Sequence, residues 1–138
     1  MSSGHIFKTR SELDKAVDLW MSNETRATRK YGDINTWDVG RINDFSSLFS
    51  RSRNESSQLF NSNISNWDVS KGTNFSGMFE NAYAFNQDIS RWDVSKGVDF
   101  SNMFVWAGVF NQDLGDWDVS NGTDFSSMLW GTHVFNQD

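Results

Sequence analysis

Residues 85–104 read FNQDISRWDVSKGVDFSNMF, and residues 110–129 read FNQDLGDWDVSNGTDFSSML, nearly the same phrase twenty-five residues later. A phrase repeated at a fixed period marks a repeat architecture, in which no single unit can bury its own apolar face. Trp-Asp-Val triplets begin at Trp37, Trp67, Trp92 and Trp117, so the spacings are 30, 25 and 25. Residues 60–84, 85–109 and 110–134 are full units, and residues 30–59 are a first unit with five extra residues, most simply placed in SRSRNESSQ. FNQD at 135–138 opens a further, partial unit.

Aligned units expose fixed columns. Ile34, Ile64, Ile89 and Leu114 form one; Trp37, Trp67, Trp92 and Trp117 follow three residues on, and Val39, Val69, Val94 and Val119 two after that. This spacing reads as a strand with alternate side chains inward. Phe100, Met103, Phe104 and Ala107 then recur at i, i+3, i+4 and i+7, the face of a short helix, and Phe75, Met78, Phe79 and Ala82 repeat them. Asp44, Asn74, Asp99 and Asp124 precede the helical Phe as expected N-caps, and Gly72, Gly97 and Gly122 lie where the chain must turn. The fold class expected is α/β: a right-handed, leucine-rich-repeat-like β/α solenoid of about four 25-residue coils over residues 31–138.

Residues 1–30 are expected to cap the first coil as part of the same structural domain. Thr9 and Glu12 form a capping-box pattern, and Leu13, Ala16, Val17 and Trp20 make one apolar helical face. The basic residues there, Arg10 among them, are expected on a solvated outer surface. The last residues, THVFNQD, stop mid-phrase without a capping helix. A shortened chain, an end that folds back and an end covered by another subunit are the competing explanations. Val105, Trp106, Leu129 and Trp130 put bulky apolar residues near that end, where the second unit has Glu80 and Asn81. They form either a local satellite core or an interface, and the latter admits a homodimer.

The phrase FNQDIS-WDVS-G-DFS-MF resembles the repeat of the BspA-like leucine-rich family of bacterial surface proteins and lipoproteins, over residues 31–138. The first unit departs from it, with Gly40 and Ile42 in the Ser and Gly columns and KYGD for FNQD. The resemblance implies an exported scaffold for surface interaction or adhesion, without catalysis. The chain shows no signal-peptide core, which leaves a cytoplasmic location open.

Composition narrows the function. Twelve Lys and Arg against eighteen Asp and Glu give a net charge of −6, which disfavours a nucleic-acid partner. There is no Cys, hence no disulfide or thiolate metal site, and no apolar run approaches the ~20 residues that span a bilayer. His5 and His133 are the only imidazoles, and the many carboxylates come as equivalent copies, whereas an acid and a base need different environments. No enzyme is expected.

Outward-pointing Asp38, Asp68, Asp93 and Asp118 would stack about 5 Å apart and repel. Bonds to Ser hydroxyls and turn N–H groups of neighbouring coils are the plain answer to that repulsion. A Ca²⁺ ion held by adjacent Asp side chains is the sharper one, and no other cofactor or metal is expected. Thr36, Asn66, Arg91 and Asp116 vary between units, as expected of a surface that binds a protein or glycan. The rival reading is a structural protein that self-associates through its uncapped C-terminal coil.

Overall fold

The computed structural model describes residues 4–137. Its two helices both precede the repeats: α1 (Arg10–Ser22) and α2 (Glu24–Tyr31). Asn23 joins them by closing one and opening the other, since its N–H donates to the Leu19 carbonyl while its side chain accepts from the Arg26 N–H. Thr9 caps α1 as its position suggests, with Oγ1 accepting the Glu12 N–H at 3.1 Å. The reciprocal half of the box is shifted by one residue, because the Glu12 carboxylate accepts from the Lys8 N–H at 2.9 Å. Leu13, Ala16, Val17 and Trp20 are the buried face of α1, as its periodicity requires.

The repeats are not a leucine-rich-repeat-like β/α solenoid. Among the described residues no strand forms: single parallel bridges join Ile6 to Asp38, Asp44 to Asn74, Asn74 to Asp99 and Asp99 to Asp124. The helices expected over the Phe-x-x-Met-Phe segments are absent as well, and beyond α2 only the short 3-10 turns Ile34–Thr36 and Glu55–Leu59 are helical. Each unit is instead a chain of tight turns. In the third unit, Trp92 N–H donates to the Ile89 carbonyl, Gly97 to Val94, Met103 to Phe100, Ala107 to Phe104 and Phe110 to Ala107. Apolar residues recur every third position because each closes a turn on the inward side, and a run of i to i+3 turns mimics the start of a helical face.

Backbone signs stop the turns from winding into a helix. Ser47, Gly77, Asn102 and Ser127 occupy one column and all have φ between 55° and 59°. A residue in the left-handed region reverses the curvature, and Gly and Asn tolerate it best. Asp44, Asn74, Asp99 and Asp124 cap no helix; each Oδ1 accepts the N–H two residues on, from Ser46, Ser76, Ser101 and Ser126.

The units nonetheless stack in register, and the predicted core columns are the core. Trp37, Trp67, Trp92 and Trp117 are between 2% and 8% exposed, and the Trp67, Trp92 and Trp117 indole N–H groups donate down to Ile34, Ile64 and Ile89 carbonyls at 2.7–3.1 Å. Three columns of phenylalanine run through the stack. In one, Phe45, Phe75, Phe100 and Phe125 lie 5.6, 5.5 and 5.3 Å apart with nearly parallel rings. Gly97 is required beside this column, because a Cβ there would lie 2.3 Å from the Phe100 ring. Few, large aromatic rings thus carry the burial that a modest apolar content must supply.

Candidate functional site

Two surfaces emerge from this arrangement: the outward side of the turns, and the end of the stack.

On the outward side, Asp38, Asp68, Asp93 and Asp118 each close an Asx turn. The Oδ1 atoms accept N–H groups of Gly40, Ser70, Ser95 and Ser120 at 3.0 Å in every case. The partners lie in the same coil rather than in neighbouring coils as expected, since the turn brings them within reach locally. Ser95 also donates its hydroxyl to Asp93 at 2.6 Å. That hydroxyl, then the Ser95 N–H, holds the Asp93 carboxyl below the ordinary carboxylate range, while the charge of Asp118 pushes weakly the other way. Ser120 lowers Asp118 in the same manner. The stacked charges are tolerated because each is already solvated by its own turn. Among the described residues no group of three or more His, Asp or Glu is arranged to hold a metal ion.

Thr36, Asn66, Arg91 and Asp116 are exposed beside this column. The backbone N–H of Asn66 donates to Asn35 Oδ1 at 2.9 Å, which fixes the frame while leaving the side chain outward. A groove of about 190 Å³ between α1 and the Glu55–Leu59 turn is smaller than the roughly 300–1,000 Å³ of small-molecule sites.

At the last coil the expected apolar cluster separates. Val105 is buried at 7% exposure, so it belongs to the core, whereas Trp106, Leu129 and Trp130 are 40%, 37% and 60% exposed. The two indoles meet edge to face with centroids 4.7 Å apart. Trp106 has φ of 60°, an unusual state for a bulky residue, and its ring lies over Gly131, where a Cβ would come within 2.6 Å.

The ladder between coils has a direction. Phe100, Asn102, Phe104 and Trp106 donate their N–H groups to the carbonyls of Asp124, Ser126, Met128 and Trp130 at 2.8–2.9 Å. Phe75, Gly77, Phe79 and Asn81 do the same to the third unit, and Phe45, Ser47, Phe49 and Arg51 to the second. In these rungs the amides point toward the C-terminal end and the carbonyls toward the N-terminal one, while the neighbouring column runs the other way, Thr73, Val98 and Thr123 donating their N–H groups back to Asn43, Thr73 and Val98. The first coil therefore presents a row of carbonyls, which the sequence alone did not reveal. Arg10 closes Asp44 and Ser46 at 3.1 and 2.6 Å, and Arg53 closes Leu48 at 2.8 and 3.1 Å. Ser50 is closed by the N–H groups of Arg53 and Asn54. Arg10 is thus a structural cap, not the solvated outer residue expected of it. Arg53 sits in the five-residue insertion and grips Asp18 of α1 with both terminal nitrogens, at 2.8 and 3.2 Å. The broken period of SRSRNESSQ was the only sequence signal for it.

These features define a repeat protein of stacked aromatic turns, closed at one end by a two-helix cap. Residues 19–138 match the family model described as Mycoplasma protein of unknown function, DUF285, and the chain belongs to that family. The match carries no leucine-rich-repeat assignment, and neither a curated protein nor a solved structure matches the chain. Among the described residues no helix is long and apolar enough to cross a membrane.

Proposed function

We propose that the protein is a non-catalytic scaffold whose outward turn surface binds a protein or glycan, in a surface-interaction role. The observation that carries this reading is the division of labour within each unit. Asp38, Asp68, Asp93 and Asp118 are committed to the same turn in every coil, while the adjoining exposed positions carry Thr36, Asn66, Arg91 and Asp116. A rigid frame with variable outward positions lowers the entropy cost of presenting a binding surface. The Asp93 and Asp118 carboxyls, held below the ordinary carboxylate range by Ser95 and Ser120, suit recognition by a basic or hydroxyl-rich partner and not proton transfer.

The test is capture from a panel of glycans and cell-surface proteins, followed by Arg91→Ala and Asp116→Ala. Loss of binding with an unchanged melting temperature supports the reading. Binding unaffected by both changes, or no ligand from the panel, removes it.

A further inference from the structure

The fold sorts the charges of the N-terminal cap in a way that their count conceals. Residues 1–30 carry six cations, Lys8, Arg10, Lys15, Arg26, Arg29 and Lys30, against four carboxylates, Glu12, Asp14, Asp18 and Glu24. Three of those carboxylates are engaged within the cap and the coil beneath it. Asp14 binds Arg10 at 2.6 Å and Asp18 binds Arg53 at 2.8 Å, the two arginines that close the first coil. Glu12 accepts the Lys8 N–H at 2.9 Å and faces His5 at 3.5 Å. Lys15, Arg26 and Arg29 are exposed and, among the described residues, pair with no carboxylate. Lys30 is exposed as well, with its ammonium 5.3 Å from the centre of the Tyr31 ring. Helical spacing sets Arg26 and Arg29 away from Ala27, the one buried residue of α2, and Lys15 away from the buried face of α1. Acids are thus held inward and cations left outward, so the outer surface of the cap is far more basic than its sequence.

We infer that this surface adsorbs to an anionic lipid bilayer through Lys15, Arg26, Arg29 and Lys30, with the stack pointing away from the lipid. A cluster of about four Lys and Arg is enough for attraction to anionic headgroups. The exposed positions of α2 hold only Glu, Thr, Arg and Lys, so nothing apolar inserts and the attachment is electrostatic and reversible.

Three observations favour a lipid surface over other anionic partners. The cations converge on no cavity, and the 190 Å³ groove beside α1 is lined by none of them, so no single phosphate or peptide is gripped. The cap offers no exposed ring on which a nucleic-acid base would stack: Phe7 and Trp20 are buried, and Tyr31 is half-buried against Phe7 and Trp37. A second copy is a poor match, because its outward Asp68 and Asp93 alternate with the exposed Lys71 and Lys96. The acidity of the stack does not prevent adsorption. Successive coils lie 5.3–5.6 Å apart along the Phe45 column, so by the third coil the distance exceeds the roughly 8 Å over which charges act at physiological salt. Repulsion of the stack orients the molecule instead of detaching it.

The experiment sediments the full chain with vesicles of phosphatidylcholine containing phosphatidylserine, and with vesicles of phosphatidylcholine alone. At about 0.15 M salt the chain is expected to partition onto the anionic vesicles at least about tenfold more than onto the neutral ones. It is expected to leave them at about 1 M salt, where the screening length is about 3 Å. Arg26→Gln combined with Arg29→Gln is expected to lower partitioning about twentyfold. Gln forms helix as readily as Arg, so the melting temperature should not move. Replacing the same pair by Lys should preserve binding, since charge and not the guanidinium fork is read, and Arg91→Gln in the stack should leave it unchanged. Equal partitioning onto both vesicles, retention at high salt, or a double Gln variant that binds like the parent overturns the inference. Tighter binding to a single-stranded oligonucleotide than to the anionic vesicles also overturns it. So does a salt-sensitive dimer, seen by light scattering, that the double Gln variant abolishes. None of these results touches the outward turn surface, which Arg91→Ala and Asp116→Ala test separately.

Discussion

The two ends of the stack are made from the same repeat and meet water differently. At the first coil, Arg10 from α1 and Arg53 from the insertion close the carbonyl row, and α1 buries the aromatic face with Leu13, Val17 and Trp20. At the last coil, among the described residues, the amides of Phe125, Ser127 and Leu129 have no acceptor and the rings of Phe125 and Trp130 are partly exposed. Aligned peptide dipoles explain why cations suit the first end, as they suit the C-terminus of a helix. Two guanidinium groups with forked donors close a row of carbonyls economically.

The largest expected effect contrasts two members of one column. Phe100→Ala should cost about 3–5 kcal/mol, because its site is closed on every side. Phe125→Ala should cost well under half of that, because the ring is already 41% exposed. Urea unfolding measures both, and equal costs would mean that the terminal coil is as well packed as the centre.

Arg53→Ala should cost about 1–3 kcal/mol, since it leaves the Leu48 carbonyl and the Asp18 carboxylate without their shared donor. Arg53→Lys should recover only part, as an ammonium cannot reproduce the fork. Full recovery by Lys would reduce the cap to simple charge attraction. Next in size is Gly131→Ala, about 1–2 kcal/mol, from a φ of 78° and the Trp106 ring above it. Gly108→Ala meets nothing within 4 Å and should stay within about 0.5 kcal/mol. A thermal melt of the pair separates the strained turn from the open one.

The smallest effects belong to the outward carboxylates. Asp93→Asn should change stability by less than about 0.5 kcal/mol, since Asn also accepts the turn N–H. The pH dependence follows from Asp88, Asp93, Asp118, Asp124 and Glu12, all held below their ordinary values by hydrogen bonds to the charged form. Their folded pKa values lie below the unfolded ones. Their support is therefore complete above about pH 5, clear of the unfolded values, and is lost as pH falls through the folded values. Melting temperature should be flat near neutrality and decline below about pH 5.

Which residues are inside was legible from sequence, because any regular repeat must return its apolar columns to one axis. The Ile, Trp, Val, Phe and Met columns are buried through the central units, and the helix at Leu13–Trp20 follows from its own local pattern. How the backbone travels between those columns was not. An apolar residue every third or fourth position is shared by a helix and by successive i to i+3 turns, so period alone could not separate them. The column Ser47, Gly77, Asn102 and Ser127 did hold a signal, since Gly and Asn are the residues that most readily take positive φ. Val105 could not be told from Trp106 in advance, because neighbouring residues of a turn point to opposite sides.

By itself, then, the sequence determined the period, the number of coils, the aromatic core and the N-terminal cap, since each follows from local pattern or from repetition. Tertiary structure decided the rest. That Arg53 would close the edge of the first coil depended on α1 lying within its reach, thirty-five residues away along the chain from Asp18. Which amides of each coil turn toward the next coil and which toward the previous one depended on how the backbones stack. Such an orientation is a property of stacked backbones, which side-chain columns do not encode.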